Sequence, residues 1–159
     1  MNSRNSFSSL TITQLVIHLT GALLELYADD TQEIQVMASG DDHDMKAVSR
    51  AQNGDTLTLE QSAAALSPLP LSARWLQVTV RIPRTWKGRV EIRTTSGSVH
   101  VRGLQVSDLS MESLSGFVML SDLSSLSLAA ATLPAVTSPV RIAACSQQRG
   151  CSVWSALRF

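Results

Sequence analysis

Few residues in this chain of 159 have the type and spacing that chemistry demands. Asp41-Asp42-His43-Asp44 sets three carboxylates and an imidazole within four residues. Hard cations favour clustered oxygens, but the run follows Ser39-Gly40 and lacks the spacing of a calcium loop, so it reads as a solvated turn. Cys145 and Cys151 have five residues between them and no His or further Cys nearby. Zinc would want four ligands, so they read as thiols without a metal. His18 and His100 fall in alternating stretches; His100 lies between Val99 and Val101 and shares the outward side with Ser98 and Arg102. No Gly-x-Ser-x-Gly elbow, phosphate loop or dinucleotide fingerprint is present. The expectation is a protein that is not an enzyme, with no catalytic residue, no cofactor and no metal.

The elements that would position these residues are strands. Trp75-Leu76-Gln77-Val78-Thr79-Val80-Arg81-Ile82 places Leu76, Val78, Val80 and Ile82 on one side. Successive side chains of a strand point to opposite faces, so such a stretch buries one side and wets the other. The same period of two runs through Leu15–Leu19, Leu24–Leu26, Ile34–Val36 and Leu57–Leu59. Ala47–Ala51 and Ser62–Leu66 allow a helical turn at most. Asn53-Gly54-Asp55 is a tight-turn signal, because Asn and Gly tolerate positive φ. Ser67-Pro68-Leu69-Pro70 is a connector that cannot join a central ladder. Trp75 and Trp86 flank the Leu76 strand and read as packing residues at its two ends; the alternative, a carbohydrate platform, needs an exposed flat pair.

Composition bounds the function classes. Hydrophobic residues make up 44% and aromatic ones 4%, which suits an aliphatic core of thin stacked strands. Formal net charge is zero, so nothing overall draws the chain to nucleic acid. Charge is segregated along the sequence, however: acids run from Glu25 to Asp44, and bases (Arg81, Arg84, Lys87, Arg89, Arg93, Arg102) run from Arg81 to Arg102. These read as two solvated faces; the alternatives are attraction between copies or a weak polyanion site. Leu15–Leu26 is too short and too polar to span a bilayer. Residues Met1–Ser9 lack the features of a secretion signal, so the chain as written reads as cytoplasmic.

Residues 90–104 superpose on residues 109–123 at a constant offset. Val90 falls on Leu109, Ile92 on Met111, Ser96-Gly97 on Ser115-Gly116, Val99 on Val118, Val101 on Leu120 and Leu104 on Leu123. Gly97 and Gly116 would supply the positive φ of repeat turns, and Leu104 would plug the corner. One rung cannot bury its inner side alone, whereas stacked rungs can. The second copy departs in one respect: Phe117 and Met119 occupy the outward positions held by Ser98 and His100 in the first. That strand is apolar on both faces. It is either covered by the chain itself or forms a contact patch for a partner.

Val78-Thr79-Val80-Arg81-Ile82-Pro83, leading through Trp86 and Gly88 to Val90–Val101 with its Ser-Gly turn, resembles the bacterial putative-adhesin domain family, a domain of unknown function. The resemblance is specific over about residues 74–128. It implies a right-handed β-solenoid or roll and carries over no active-site residue. It also implies a cell-surface or envelope role, which the missing export signal opposes.

The fold expected is all-β, a parallel β-solenoid or β-roll-like stack with irregular N-terminal strands. Residues 1–9 are expected to be a flexible lead and residues 10–128 the repeat domain. From Ala129 the alternation breaks, and residues 129–159 read as an atypical tail, the product of a reading-frame shift. The function expected is a structural or protein-interaction module. Its partner would be an unknown protein or a second copy, with no nucleic acid and no membrane span.

Overall fold

The computed structural model describes residues 2–62, 76–114, 117–132, 140–145 and 151–153, with side chains up to Asp122 except His43. The chain is all-β. Its strands are β1 (Asn2–Ser8), β2 (Gln14–Asp29), β3 (Glu33–Gly40), β4 (Val48–Asn53), β5 (Thr56–Gln61), β6 (Leu76–Pro83), β7 (Arg89–Arg102), β8 (Gln105–Ser113), β9 (Phe117–Thr132), β10 (Val140–Cys145) and β11 (Cys151–Val153). A single short helix, α1 (Asp42–Lys46), follows β3. The strands form one sheet of eleven, and the long strands β2, β7 and β9 each run through two ladders of partners.

The first ladder stacks Leu57, Leu15, Val90, Leu109 and Leu128 in one row, all in parallel strands. The second stacks Val78, Leu24, Val99, Val118 and Val140 in the same sense. The 19-residue offset read from the sequence is thus the hydrogen-bonding register: Val90 pairs with Leu109 and Val99 with Val118. It continues one rung further, where Leu109 pairs with Leu128. The side chains of both rows described are buried. Burying one such aliphatic side chain contributes about 1.5–3 kcal/mol before the cost of ordering the chain.

Of the N-terminal strands, β2 and β5 join the parallel stack in register, whereas β1, β3 and β4 depart from it by pairing antiparallel. β2 lies inside the stack, between β5 and β6 on one side and β7 on the other. Its partner in β7 lies 75 residues on, as Leu15 with Val90 shows, so chain order and spatial order differ. The lead expected to be flexible is strand β1, paired antiparallel with β3 from Asn2 to Ser8. β3 pairs antiparallel with β6, and β4 with β5. These antiparallel strands cover one end of the stack, where Arg50 Nη2 of β4 donates to Ser3 Oγ of β1 at 2.7 Å. The helical turn falls at Asp42–Lys46, and residues 48–53 are strand. At the other end β9 runs past Leu128 without a break, and β10 and β11 extend the two ladders.

Between the ladders the chain bends, and backbone groups there need partners. Gln61 Oε1 accepts from the N–H groups of Thr20 and Gly21 at 2.9 and 3.1 Å, and Ser96 Oγ donates to Thr20 O at 3.0 Å. Gly97 has φ +121°, and a Cβ there would collide with the carbonyl of Ala22. The expected repeat turn at Gly97 is therefore a bend inside continuous β7, set by close approach to β2. Gly116 lies outside the described residues. The chain bends back to the first ladder at Gly103 (φ +67°), between β7 and β8, and 19 residues on at Asp122 (φ +51°), inside continuous β9. Asp is among the few side-chain-bearing residues that enter this region readily.

Gly97→Ala is expected to cost about 2–4 kcal/mol in urea unfolding, from strain plus the clash with β2. Gly103 meets no neighbour, so Gly103→Asn should cost less than about 1 kcal/mol. Equal costs would refute the assignment.

Candidate functional site

The two ladders turn different outer faces to solvent. On the first, outward positions carry charge. Arg89 Nε sits 3.3 Å from Asp108, Arg93 Nε 3.0 Å from Glu91 and 3.6 Å from Glu112, and His18 Nε2 3.9 Å from Glu91. Register places His18 between Glu60 and Arg93. Exposed pairs of this kind contribute about 0–1 kcal/mol each. The segregated charges of the sequence meet in the same way at the strand ends: Arg81 lies 3.5 Å from Asp29, and Arg84 Nε 2.8 Å from Asp30. Parallel pairing of β2 with β6 sets the acidic segment against the basic one.

On the second ladder the outward rows mix apolar and aromatic side chains with polar and charged ones. One row runs Gln77, Leu23, Ser98, Phe117; the next Met37, Thr79, Glu25, His100, Met119; the third Arg81, Tyr27, Arg102, Ser121. Phe117 is half-buried, its ring edge-on to His100 at 6.1 Å between centroids. Met119 is 37% exposed. The Arg81 guanidinium lies 5.6 Å from the Tyr27 ring centre, within cation–π range. Gln77 Nε2 donates to Glu25 Oε2 at 3.0 Å. A cleft of about 160 Å³ opens here between Glu25, Tyr27, His100, Arg102, Met119 and Ser121. Among the described residues Arg102 forms no ion pair. Phe117, Met119 and His100, singled out in the sequence, are thus brought together. Tyr27 and Arg102 join them only through the register of β2 with β7.

The other residues singled out lie apart. Asp41 and Asp42 are exposed whereas Asp44 is buried with no hydrogen-bond partner for its Oδ1, so the three carboxylates do not share one environment. Cys145 stands in the second ladder beside Leu123, and Cys151 in the first beside Leu128. Trp86 is buried and its Nε1 donates to Ile12 O at 2.6 Å, which makes it a packing residue. Trp75 lies outside the described residues.

One titrating group has a resolved cause in the hairpin between β4 and β5. The Thr13 hydroxyl donates to Asp55 Oδ2 at 2.6 Å. This bond, ahead of contacts with its own backbone and Thr56, holds the Asp55 carboxyl below the ordinary carboxylate range. Burial alone pushes the Arg50 guanidinium down.

Stacked in-register parallel strands, an antiparallel cover at one end and exposed apolar side chains on one outer face define the class: an all-β repeat-built domain. Within it, the chain belongs to the Toastrack DUF4097 family, whose sequence profile matches residues 12–146. The resemblance read from Val78–Pro83 and the Ser-Gly repeat pointed to the same kind of family, a domain of unknown function with adhesin-named members. Among solved structures, the fold is similar to that of a putative cell adhesion protein from Clostridium sporogenes ATCC 15579, with a TM-score of 0.63, 7% identity, and coverage of 84% of this chain and 72% of that one. A putative adhesin from Bacteroides fragilis NCTC 9343 aligns over 83% of this chain and 76% of that one, at 14% identity and a TM-score of 0.45. A putative lipid binding protein from Parabacteroides distasonis ATCC 8503 aligns over 83% and 78%, at 9% identity and a TM-score of 0.37. At these identities the likeness concerns the fold alone. No curated protein matches the chain. Among the described residues, no helix is long and apolar enough to cross a membrane.

A depressed carboxyl pKa contributes stability above its unfolded value, and the contribution is lost as pH falls through the folded value. Thr13→Val should therefore raise the Asp55 pKa toward its ordinary value in an NMR titration and weaken this loss on acidification. An unchanged Asp55 titration would rule out the hydroxyl as the cause.

Proposed function

We propose that this chain is a non-catalytic protein-interaction module, and that its contact surface is the outer face of the second ladder centred on Phe117 and Met119. The observation that carries this reading is the first half of β9. Val118 and Leu120 point inward and are buried, while Phe117 and Met119 point outward and stay partly exposed. Interface cores are enriched in aromatic residues, Met and Arg; Tyr27, Met119 and Arg102 line the cleft, and Phe117 stands beside it against His100. A cleft of about 160 Å³ suits one inserted side chain of a partner, the geometry of an interface anchor. The strands that pass in turn through both ladders read as successive coils of a short solenoid, which supports a flat, rigid outer face. On that face Glu25 accepts from Gln77 Nε2 and His100 packs edge-on against Phe117, ties that suit a contact surface.

The partner is another protein or a second copy of the chain. A cell-surface adhesin is the second reading, favoured by the adhesin-named relatives of the fold. The test is size-exclusion chromatography with light scattering on the full chain and on Phe117→Ser with Met119→Ser. Self-association that weakens about tenfold or more in the double variant, with an unfolding midpoint near that of the parent, supports the surface. Association untouched by both substitutions would move the contact elsewhere.

A further inference from the structure

A groove of about 690 Å³ lies where β2, β7 and β8 begin, between residues 9–14, residues 85–89 and Ser107. It shares no residue with the Phe117 surface, so the inference goes beyond that reading and stands apart from it. No carboxylate lines it. Of the carboxylates bonded to lining residues, Asp108 is offset by Arg89 Nε at 3.3 Å, and Asp55 accepts from the Thr13 hydroxyl. Two cations do line it, Lys87 and Arg89. Lys87 is exposed and forms no ion pair among the described residues. The pair with Asp108 uses the Nε of Arg89, and a guanidinium has four further N–H donors on its terminal nitrogens.

The neutral polar groups have a definite sense. The hydroxyls of Ser9, Thr13 and Ser107 donate to Gln32 O at 2.6 Å, Asp55 Oδ2 at 2.6 Å and Gly88 O at 3.1 Å. With their protons committed, their oxygens are left as acceptors. The floor is preorganised: Trp86 is locked by its bond to Ile12 O, and Gly88 packs against the indole so closely that a Cβ would collide with it. Leu10, 93% exposed, stands at the rim. The volume falls in the range of small-molecule sites.

We infer that this groove binds an acidic, polyhydroxylated ligand, the chemistry of a uronic-acid oligosaccharide. The carboxylate would meet Lys87 and the free face of Arg89. The ligand hydroxyls would donate to Ser9, Thr13 and Ser107, and an apolar sugar face would rest against Leu10. An anion without hydroxyls would leave those acceptors unmet.

The test is a ¹⁵N-NMR titration of the full chain with trigalacturonate, with neutral maltotriose and inorganic phosphate in parallel. The expected result is saturable shifts of the Trp86 indole N–H and the Lys87 and Gly88 amides with trigalacturonate. Kd should rise about fivefold in Lys87→Gln, an exposed position that leaves the fold intact, and rise with added salt. Lys87→Arg should retain binding. Equal affinity for maltotriose, equal shifts with phosphate, no saturable shifts, or a Kd unchanged in Lys87→Gln would each overturn the assignment.

Discussion

Each inward side chain of the two ladders rests on its equivalents in the strands above and below, at the strand spacing of about 4.8 Å. That repeated contact is the constraint on which the rest depends. Leu15 meets Leu57 and Val90, and Leu24 meets Val78 and Val99. A slip of one residue in any strand would turn its whole inner set outward. Register is therefore held wherever the rows are aliphatic, and the bends between ladders must be alike from coil to coil. Gly97 answers to this demand where β7 closes on Ala22, and Gly103 and Asp122 answer to it at equivalent turns.

Register also decides what the charges do. Read along the chain, acids and bases occupy separate segments and suggest faces of opposite sign. In space, parallel pairing lays the end of β2 along β6, so that Asp29 and Asp30 meet Arg81 and Arg84. Pairing of β7 with β8 brings Arg89 to Asp108 and Arg93 to Glu112. Part of the apparent segregation is thus cancelled within the molecule. Of the bases from Arg81 to Arg102, Lys87 and Arg102 form no ion pair among the described residues, and each borders a concave part of the surface.

How much was legible follows from distance in sequence. The pairing of residues 90–101 with 109–120 was readable because both copies are contiguous and close, and their apolar positions coincide. The Phe117 and Met119 anomaly was readable for the same reason, as a departure from a known register. The place of β2 was not. Its stretches Leu15–Leu19 and Leu24–Leu26 look like two short strands interrupted by Thr20-Gly21, yet they form one strand that bends there, with Gln61 and Ser96 serving the backbone at the bend. No local signal announces a partner 75 residues away. Tyr27 and Arg102 as neighbours of Met119, and the groove built from three distant strand starts, depend on that insertion and could not be seen without it. The polar sequence of β1 hid a strand because an edge strand over a covered end has no face that must be fully apolar.

The covered end bears on where contacts can form. An open stack of parallel strands exposes unpaired backbone groups and invites another chain to continue it. Here β1, β3 and β4 run antiparallel over that end, and Arg50 links β4 to β1. Both edge strands expose polar side chains: β1 shows Asn2, Arg4 and Asn5, and β4 shows Ser49, Gln52 and Asn53. Arg4 also reaches along the sheet to Gln35 at 2.7 Å. Charged and polar edges of this kind oppose strand addition. Continuation of the stack from this end is disfavoured by the same strands that complete its core. The first ladder's outer face is filled with matched ion pairs that would have to be desolvated to join an interface. On the second ladder's outer face half-buried Phe117 and partly exposed Met119 stand beside Glu25, His100 and Arg102, so a partner on the proposed contact surface would cover apolar carbon there and would have to meet the Arg102 charge.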